Sequence, residues 1–235
     1  MRMGMNIDYE NLINSLVNDG YLKTPGIIDA FKKIDRADFV LDDNKNEAYG
    51  NVPLSIGFGQ TISQPLAVAF MLELLQPRTG EKVLEIGAGS GWQTAILGEI
   101  INKQQPAVAA EGGEIAPVNN GKVISVEIIS ELKIMAEKNV SKYGFIGDNV
   151  EIILGDGSKG YKKEAPYDRI IAAAAVSGEI PVAWKRQLKI GGRIVTPVEN
   201  SIVVIDKISK NKYSKKEYFG FSFIPLAEAQ QRGIK

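Results

Sequence analysis

The 235-residue chain contains no cysteine and no histidine. The first absence excludes disulfide frameworks, thiolate-held zinc, iron–sulfur clusters and thiol nucleophiles. The second removes Ser-His-Asp hydrolysis, imidazole-ligated zinc and imidazole acid–base catalysis. Charge of neither sign is in excess: 28 Lys and Arg offset 28 Asp and Glu, which gives no electrostatic footprint for a nucleic acid. No apolar run approaches the ~20 residues that span a bilayer. Residues 1–9 lack the basic-then-apolar pattern of a secretory signal. We therefore expect a cytoplasmic protein with no metal ion, no nucleic-acid partner and no membrane contact. At 44% hydrophobic residues, a chain of this length can bury a core without a covalent staple.

Hydrophobic spacing predicts two helices over residues 6–40. The first carries Ile7, Leu12, Ile13, Leu16 and Val17 and stops at Gly20; the second opens at Thr24-Pro25. Residues 41–62, rich in Asp, Asn and Gly, read as loop, and Pro65 opens a further helix. From Lys82 short apolar strands alternate with helices. Strands are expected at 83–86, 122–127, 150–154, 169–173 and 193–198, and helices at 92–101, 130–143 and near 179–188. This predicts an α/β fold: a Rossmann-like, doubly wound, mostly parallel sheet with helices on both faces and an N-terminal helical extension. Ser201–Ile208 and Glu217–Phe223 are expected to form a C-terminal antiparallel hairpin around the Lys/Asn-rich turn Ser209–Lys216, with the Lys207–Lys216 charge cluster solvated. We divide the single domain into an extension (6–62), a cofactor-binding core (63–198) and C-terminal strands and tail (199–235). Asn102–Gly121, rich in Ala, Gly, Pro, Gln and Asn, reads as a flexible insertion on the side away from the strand ends that build a site.

The most informative stretch is Val83-Leu-Glu-Ile-Gly-Ala-Gly-Ser-Gly-Trp92. A buried strand runs into glycines and a helix follows, so a ligand can lie against bare backbone. A nicotinamide fingerprint needs a third glycine at position 92, where Trp92 stands. No Gly-Lys-Ser/Thr follows for phosphate cradling. The pattern instead suits S-adenosylmethionine, which has no pyrophosphate. Glu85 is placed to help the ammonium end of that ligand, with Gly87, Ala88, Gly89, Ser90 and Gly91 forming the turn. Glu127, ending the next strand beside Ile128, is placed for the ribose hydroxyls, and Asp156-Gly157 for the adenine.

Taken with Val52-Pro-Leu-Ser-Ile-Gly-Phe-Gly-Gln-Thr-Ile-Ser-Gln-Pro65, Val126–Leu132, Asn149–Ser158, Pro166–Ile171, Leu188–Arg193 and Phe223–Leu226, the sequence resembles the protein-L-isoaspartate O-methyltransferases across roughly residues 10–226. That resemblance implies methylation of the α-carboxylate of L-isoaspartyl residues in damaged proteins, followed by spontaneous succinimide formation and partial repair. It assigns the active-site role to Ser63, with Ile62 and Ser63 also beside the cofactor. Gly57, Gly59, Gln60, Thr61 and Ile224 are placed along the substrate. A monomer is expected. The chain departs from the family in running from Ala172–Ala175 into Val176-Ser-Gly178, where a proline is frequent. Trp92 and Trp184 are read as packing residues. Two other readings stand beside this one: a methyltransferase with a different acceptor, and a catalytically silent cofactor-binding module.

Overall fold

The computed structural model describes residues 5–102 and 121–226. Helices α1 (Ile7–Asn18) and α2 (Pro25–Lys33) form where the sequence signals them. Asn6 caps α1 by accepting from the Asp8 amide, and Pro25 occupies the first turn of α2. The Tyr9 hydroxyl reaches the carbonyls of Phe31 and Ile34 at the end of α2, tying the pair together. The stretch expected as loop holds more order. After 3-10 turns at Arg36–Phe39 and Asp42–Glu47, a small hairpin forms from β1 (Leu54–Gly57) and β2 (Gln60–Ile62). Helix α3 (Pro65–Leu75) follows.

The strands β3 (Lys82–Ile86), β4 (Lys122–Glu127), β5 (Val150–Leu154), β6 (Tyr167–Ala172), β7 (Leu188–Val198), β8 (Ser201–Ser209) and β9 (Lys212–Phe219) make one seven-stranded sheet in the order β5-β4-β3-β6-β7-β8-β9. The first five are parallel, and β7-β8-β9 are antiparallel. Strand order reverses at β3, whose neighbours are β4 on one side and β6 on the other. A crevice opens at the carboxyl ends of the strands at such a switch point.

Helices α4 (Trp92–Ile101), α5 (Ser130–Ser141) and α6 (Val182–Gln187) complete the helices among the described residues. The two faces are covered unequally. One large core joins α1–α5 to Val83, Val123, Val150, Ile171 and Val195. The opposite face, with Leu84, Ile86, Ile124 and Ile170, packs on Trp184 of α6 and on Tyr167.

The C-terminal hairpin exists, but its turn was misplaced. Lys212–Lys216 pairs with β8 as strand, and the chain reverses at Lys210-Asn211. Lysines along an exposed edge strand keep other chains from pairing with it, so a charge run that reads as a turn is an edge. Lys207 is not solvated either: it is buried, and its ammonium donates to the carbonyls of Lys185 and Leu188. Strand β9 stops at Phe219; beyond it the amides of Gly220 and Phe221 donate to the Asn200 carbonyl, and Pro225 bridges to Ala175. The expected insertion lies mostly at 103–120, outside the described residues. Its flanks meet the amino-terminal edge of the sheet, where Lys122 donates to Glu81 and Gly80 to Ile101. Among the described residues no helix is long and apolar enough to cross a membrane.

Candidate active site

Strand β3 delivers the chain into a turn built on left-handed glycines, Gly87 (φ 89°), Gly89 (φ 55°) and Gly91 (φ 91°). A side chain at any of these would strain the backbone. The Gly87 amide donates to Val126 at the end of β4, pinning the turn to the neighbouring strand. Glu127 secures it from the other side. One carboxylate oxygen accepts from the Gly89 amide at 2.9 Å, and the other from Ile128 and Ile129 at 2.9 and 3.0 Å. The acid at the end of β4 thus clamps the glycine turn while lining the cleft beside it.

That cleft has a volume of about 1230 Å³, beyond the ~300–1,000 Å³ typical of a small-ligand pocket. Its floor is Gly87, Ala88, Gly89, Ser90 and Glu127. Gln60, Thr61, Ile62, Ser63 and Ile224 line it as well. A narrower arm shares Gly87 and Glu127 and adds Ile128 and Gly157. A Cβ on Gly157 would sit 2.4 Å from Ile86, so glycine is what keeps this arm against the strand end. Bare backbone, one acid at the second strand end and a glycine at the third fit an adenosyl ligand laid along the sheet edge.

Five residues predicted for the site do not line the cleft. Glu85 is fully buried beneath the turn, where its carboxylate accepts from Gln93 (3.0 Å), Thr94 (2.5 Å) and Ser125 (2.7 Å). Burial raises its pKa to about 7, against the hydrogen bonds from Thr94, Ser125 and Gln93. It organises the start of α4 and does not face a ligand's ammonium group. Gly91 begins α4, and a Cβ there would stand 2.8 Å from Val140 and 3.1 Å from the Ala136 carbonyl of α5; close helix packing demands this glycine. Asp156 turns back on its own 3-10 turn, accepting from the Ser158 amide (3.0 Å) and hydroxyl (2.6 Å). Burial opposes ionisation there, yet the Ser158 and Lys159 contacts hold its carboxyl below the ordinary value. Gly57 and Gly59, both at positive φ, shape the tip of the β1–β2 hairpin.

Ser63 follows β2 directly, two residues before α3. The cap position of that helix is Gln64, which makes no side-chain capping bond. Among the described residues the Ser63 hydroxyl has no hydrogen-bond partner, while Ser63 lines the cleft. Its main chain is held from behind by Arg36, a residue the sequence reading passed over. Arg36 is fully buried and donates to the carbonyls of Ala48 (2.7 Å), Gly50 (3.1 Å), Val52 (2.9 Å) and Ser63 (3.2 Å). Its guanidinium lies over the Trp92 ring at 5.3 Å. Burial lowers its pKa to about 10, so it is cationic at neutral pH. The one signal for it in sequence was an arginine flanked by the core residues Ile34 and Phe39. Also passed over was an aromatic wall on the cleft. Phe70 stacks on Phe221 (5.1 Å, 10°) and meets Tyr21 and Tyr218 edge-on. Trp92 and Trp184 pack as expected, Trp184 donating to the Gly157 carbonyl at 2.8 Å. Among the described residues no cluster of side chains is suited to a metal ion.

The model of the protein-L-isoaspartate(D-aspartate) O-methyltransferase family matches residues 7–231. The chain belongs to that family. Protein-L-isoaspartate O-methyltransferase 2 of Archaeoglobus fulgidus is 43% identical over 203 residues, 85% of this chain and 84% of the relative. The protein-L-isoaspartate O-methyltransferase of Methanopyrus kandleri is 38% identical over 221 residues, covering 92% and 90%. Among solved structures, a protein-L-isoaspartate O-methyltransferase superposes with a TM-score of 0.78 at 27% identity, over 93% of this chain and 66% of that one. A putative Plasmodium falciparum protein-L-isoaspartate O-methyltransferase, solved with S-adenosyl-L-homocysteine, shares the fold with a TM-score of 0.76 at 21% identity, over 93% and 98%. Membership makes this chain an S-adenosylmethionine-dependent methyltransferase.

Proposed function

We propose that this cleft methylates the α-carboxylate of L-isoaspartyl residues in damaged proteins, with Ser63 as the group that orients the acceptor. The observation that carries the reading is the unengaged Ser63 hydroxyl in the cleft that Gly87–Ser90 also line, with room for a cofactor and a peptide segment. When bound, S-adenosylmethionine supplies a methyl group on a positively charged sulfur. The residues do the rest by placement. Gly87, Ala88, Gly89 and Ser90 offer bare backbone, Glu127 accepts from the ribose hydroxyls, and Ile128 and Gly157 flank the adenine. The family relationship and the fit of the strand ends support these roles.

A carboxylate is ionised near pH 7 and is itself the nucleophile, so the step needs no general base. A chain without histidine or cysteine loses nothing by that. What the step requires is alignment with water excluded, a contribution of several kcal/mol. The Ser63 hydroxyl donates to one acceptor oxygen and leaves the other aimed across the cleft. Glu127 is the one charged residue among the described residues lining the cleft, and no Lys or Arg lines it. The acceptor carboxylate therefore meets neutral donors, which leave its charge available for attack. Gln60, Thr61 and Ile224 border the peptide on either side. Once formed, the methyl ester is attacked by the neighbouring amide nitrogen, which loses its proton as the acyl C–O bond breaks, so that methanol leaves and a succinimide closes without further help.

The lining comes from the extension (Tyr21, Pro53 and Gln60 to Ile62), the core (Ser63 to Ala174) and the C-terminal segment (Tyr218 to Pro225), which supports reading 6–62, 63–198 and 199–235 as one catalytic unit. We read the chain as a cytoplasmic monomer acting on proteins and peptides; its balanced charge supports the exclusion of nucleic acid. Ser63→Ala tests the assignment. A hydrogen bond to a charged group contributes about 1.5–3 kcal/mol, so kcat on an isoaspartyl peptide should fall roughly 10- to 150-fold. Affinity for S-adenosylhomocysteine should stay within about threefold. Unchanged kcat would remove Ser63 from the mechanism.

A further inference from the structure

Arg36 is a buried cation with no counterion. Among the described residues no carboxylate lies within ion-pair distance of it, and its four recorded partners are main-chain carbonyls. Its Nε has no hydrogen-bond partner among the described residues. The acids nearest in sequence are engaged elsewhere. Asp35 accepts from the Ala37 amide and the Tyr49 hydroxyl, and Asp38 accepts from Tyr143. A buried charge left unpaired costs free energy that a fold rarely tolerates without use. This one donates to the main chain of Ser63, which lines a cleft with no basic residue among the described residues of its lining.

We propose that Arg36 is a positioning residue for the acceptor. Through the Ser63 carbonyl it fixes the serine at the cleft wall. Its charge, transmitted through a poorly polarisable interior, makes the cleft beside Ser63 favour an anionic carboxylate over a neutral carboxamide of the same shape. The inference rests on the reading of Ser63 as the acceptor site. The same guanidinium gathers Ala48, Gly50 and Val52, so the loop that precedes the β1–β2 hairpin and the serine that follows it share one anchor.

The test compares two peptides, one with an isoaspartyl residue and one with its α-carboxamide, isoasparagine. Their affinities are measured calorimetrically with S-adenosylhomocysteine present, on wild type, R36Q and R36K. An unscreened charge on the order of 8 Å away discriminates about tenfold or more. The wild-type protein should bind the carboxylate peptide at least that much tighter. R36Q, which keeps one NH2 donor group for part of the carbonyl set but not the charge, should bring the ratio toward one. R36K should keep most of the ratio while kcat falls several-fold with the loss of the planar fork. A merely structural role would weaken both peptides alike and leave the ratio unchanged in R36Q, and that result overturns the proposal. Should R36Q not fold, R36K decides: a carboxylate preference that falls toward one when the pH is raised far enough to neutralise the lysine supports the charge, and a preference already lost at neutral pH, or one that the neutralisation leaves unchanged, overturns it. If wild type does not methylate the isoaspartyl peptide, it is the reading of the site that fails.

Discussion

Glu127→Gln changes one atom of the carboxylate and nothing in its volume. In the wild-type chain the two oxygens accept three main-chain hydrogen bonds, from Gly89 on one side and from Ile128 and Ile129 on the other. The amide has one acceptor oxygen, so its NH2 group must face an N–H donor on one side. The glycine turn or the start of the α5 approach loses its tether, and one proposed ribose contact is lost with it. A hydrogen bond to a charged acceptor contributes about 1.5–3 kcal/mol. S-adenosylhomocysteine should therefore bind roughly 10- to 150-fold more weakly to the Gln variant. Glu127→Ala removes both ribose contacts and the clamp, and at least ~3 kcal/mol, about a hundredfold, should go. Calorimetric titration gives the affinity, and thermal unfolding without ligand separates the tether from the ligand contact. If Glu127→Gln binds within threefold of wild type, the acid does not grip the cofactor and the account of this strand end is wrong.

Gly91→Ala places a side chain at φ 91° and 2.8 Å from Val140. Left-handed strain of about 1–2 kcal/mol and overpacking of about 1–3 kcal/mol should together lower unfolding stability by ~2–5 kcal/mol in urea titrations; a loss below ~1 kcal/mol would refute the packing role. Glu85→Gln should change how stability depends on pH. The folded pKa is raised to about 7 from an unfolded value near ~4.3, so the folded state holds the proton more tightly. The stability this contributes is fully present below the unfolded pKa. It falls as pH rises through the folded pKa, and is flat above. Wild type should accordingly lose stability relative to Glu85→Gln between about pH 4.5 and 7, by up to ~1.4 kcal/mol per pH unit; a pH-independent difference in denaturant midpoints would contradict it.

The parallel strands were legible because β3 and β4 are short apolar runs followed by turn residues, and buried parallel strands read that way. The edge strand was not. Lys212, Lys215 and Lys216 carry the composition of a turn, and only their pairing with β8 reveals a strand. Glu85 was recognised as important but put on the wrong side. In β3 it shares a face with Val83, and that face packs under α4, where the consecutive residues Gln93 and Thr94 of its first turn meet the carboxylate. The alternation was visible in the sequence; which face met the ligand was not. For Ser63, a serine before Gln-Pro is as well suited to capping the next helix as to holding a ligand, and sequence cannot tell a capping hydroxyl from a free one. Arg36 was illegible for a different reason. Its four acceptors are backbone carbonyls between Ala48 and Ser63, and a carbonyl leaves no mark on residue type.

The most direct test of the central claim uses labelled S-adenosylmethionine and two synthetic peptides differing only in isoaspartyl against normal aspartyl at one position. The account predicts base-labile label on the isoaspartyl peptide alone, as expected for a carboxyl methyl ester. Label on neither peptide, while S-adenosylhomocysteine still binds, would contradict the assigned acceptor and leave only the fold and the cofactor site standing.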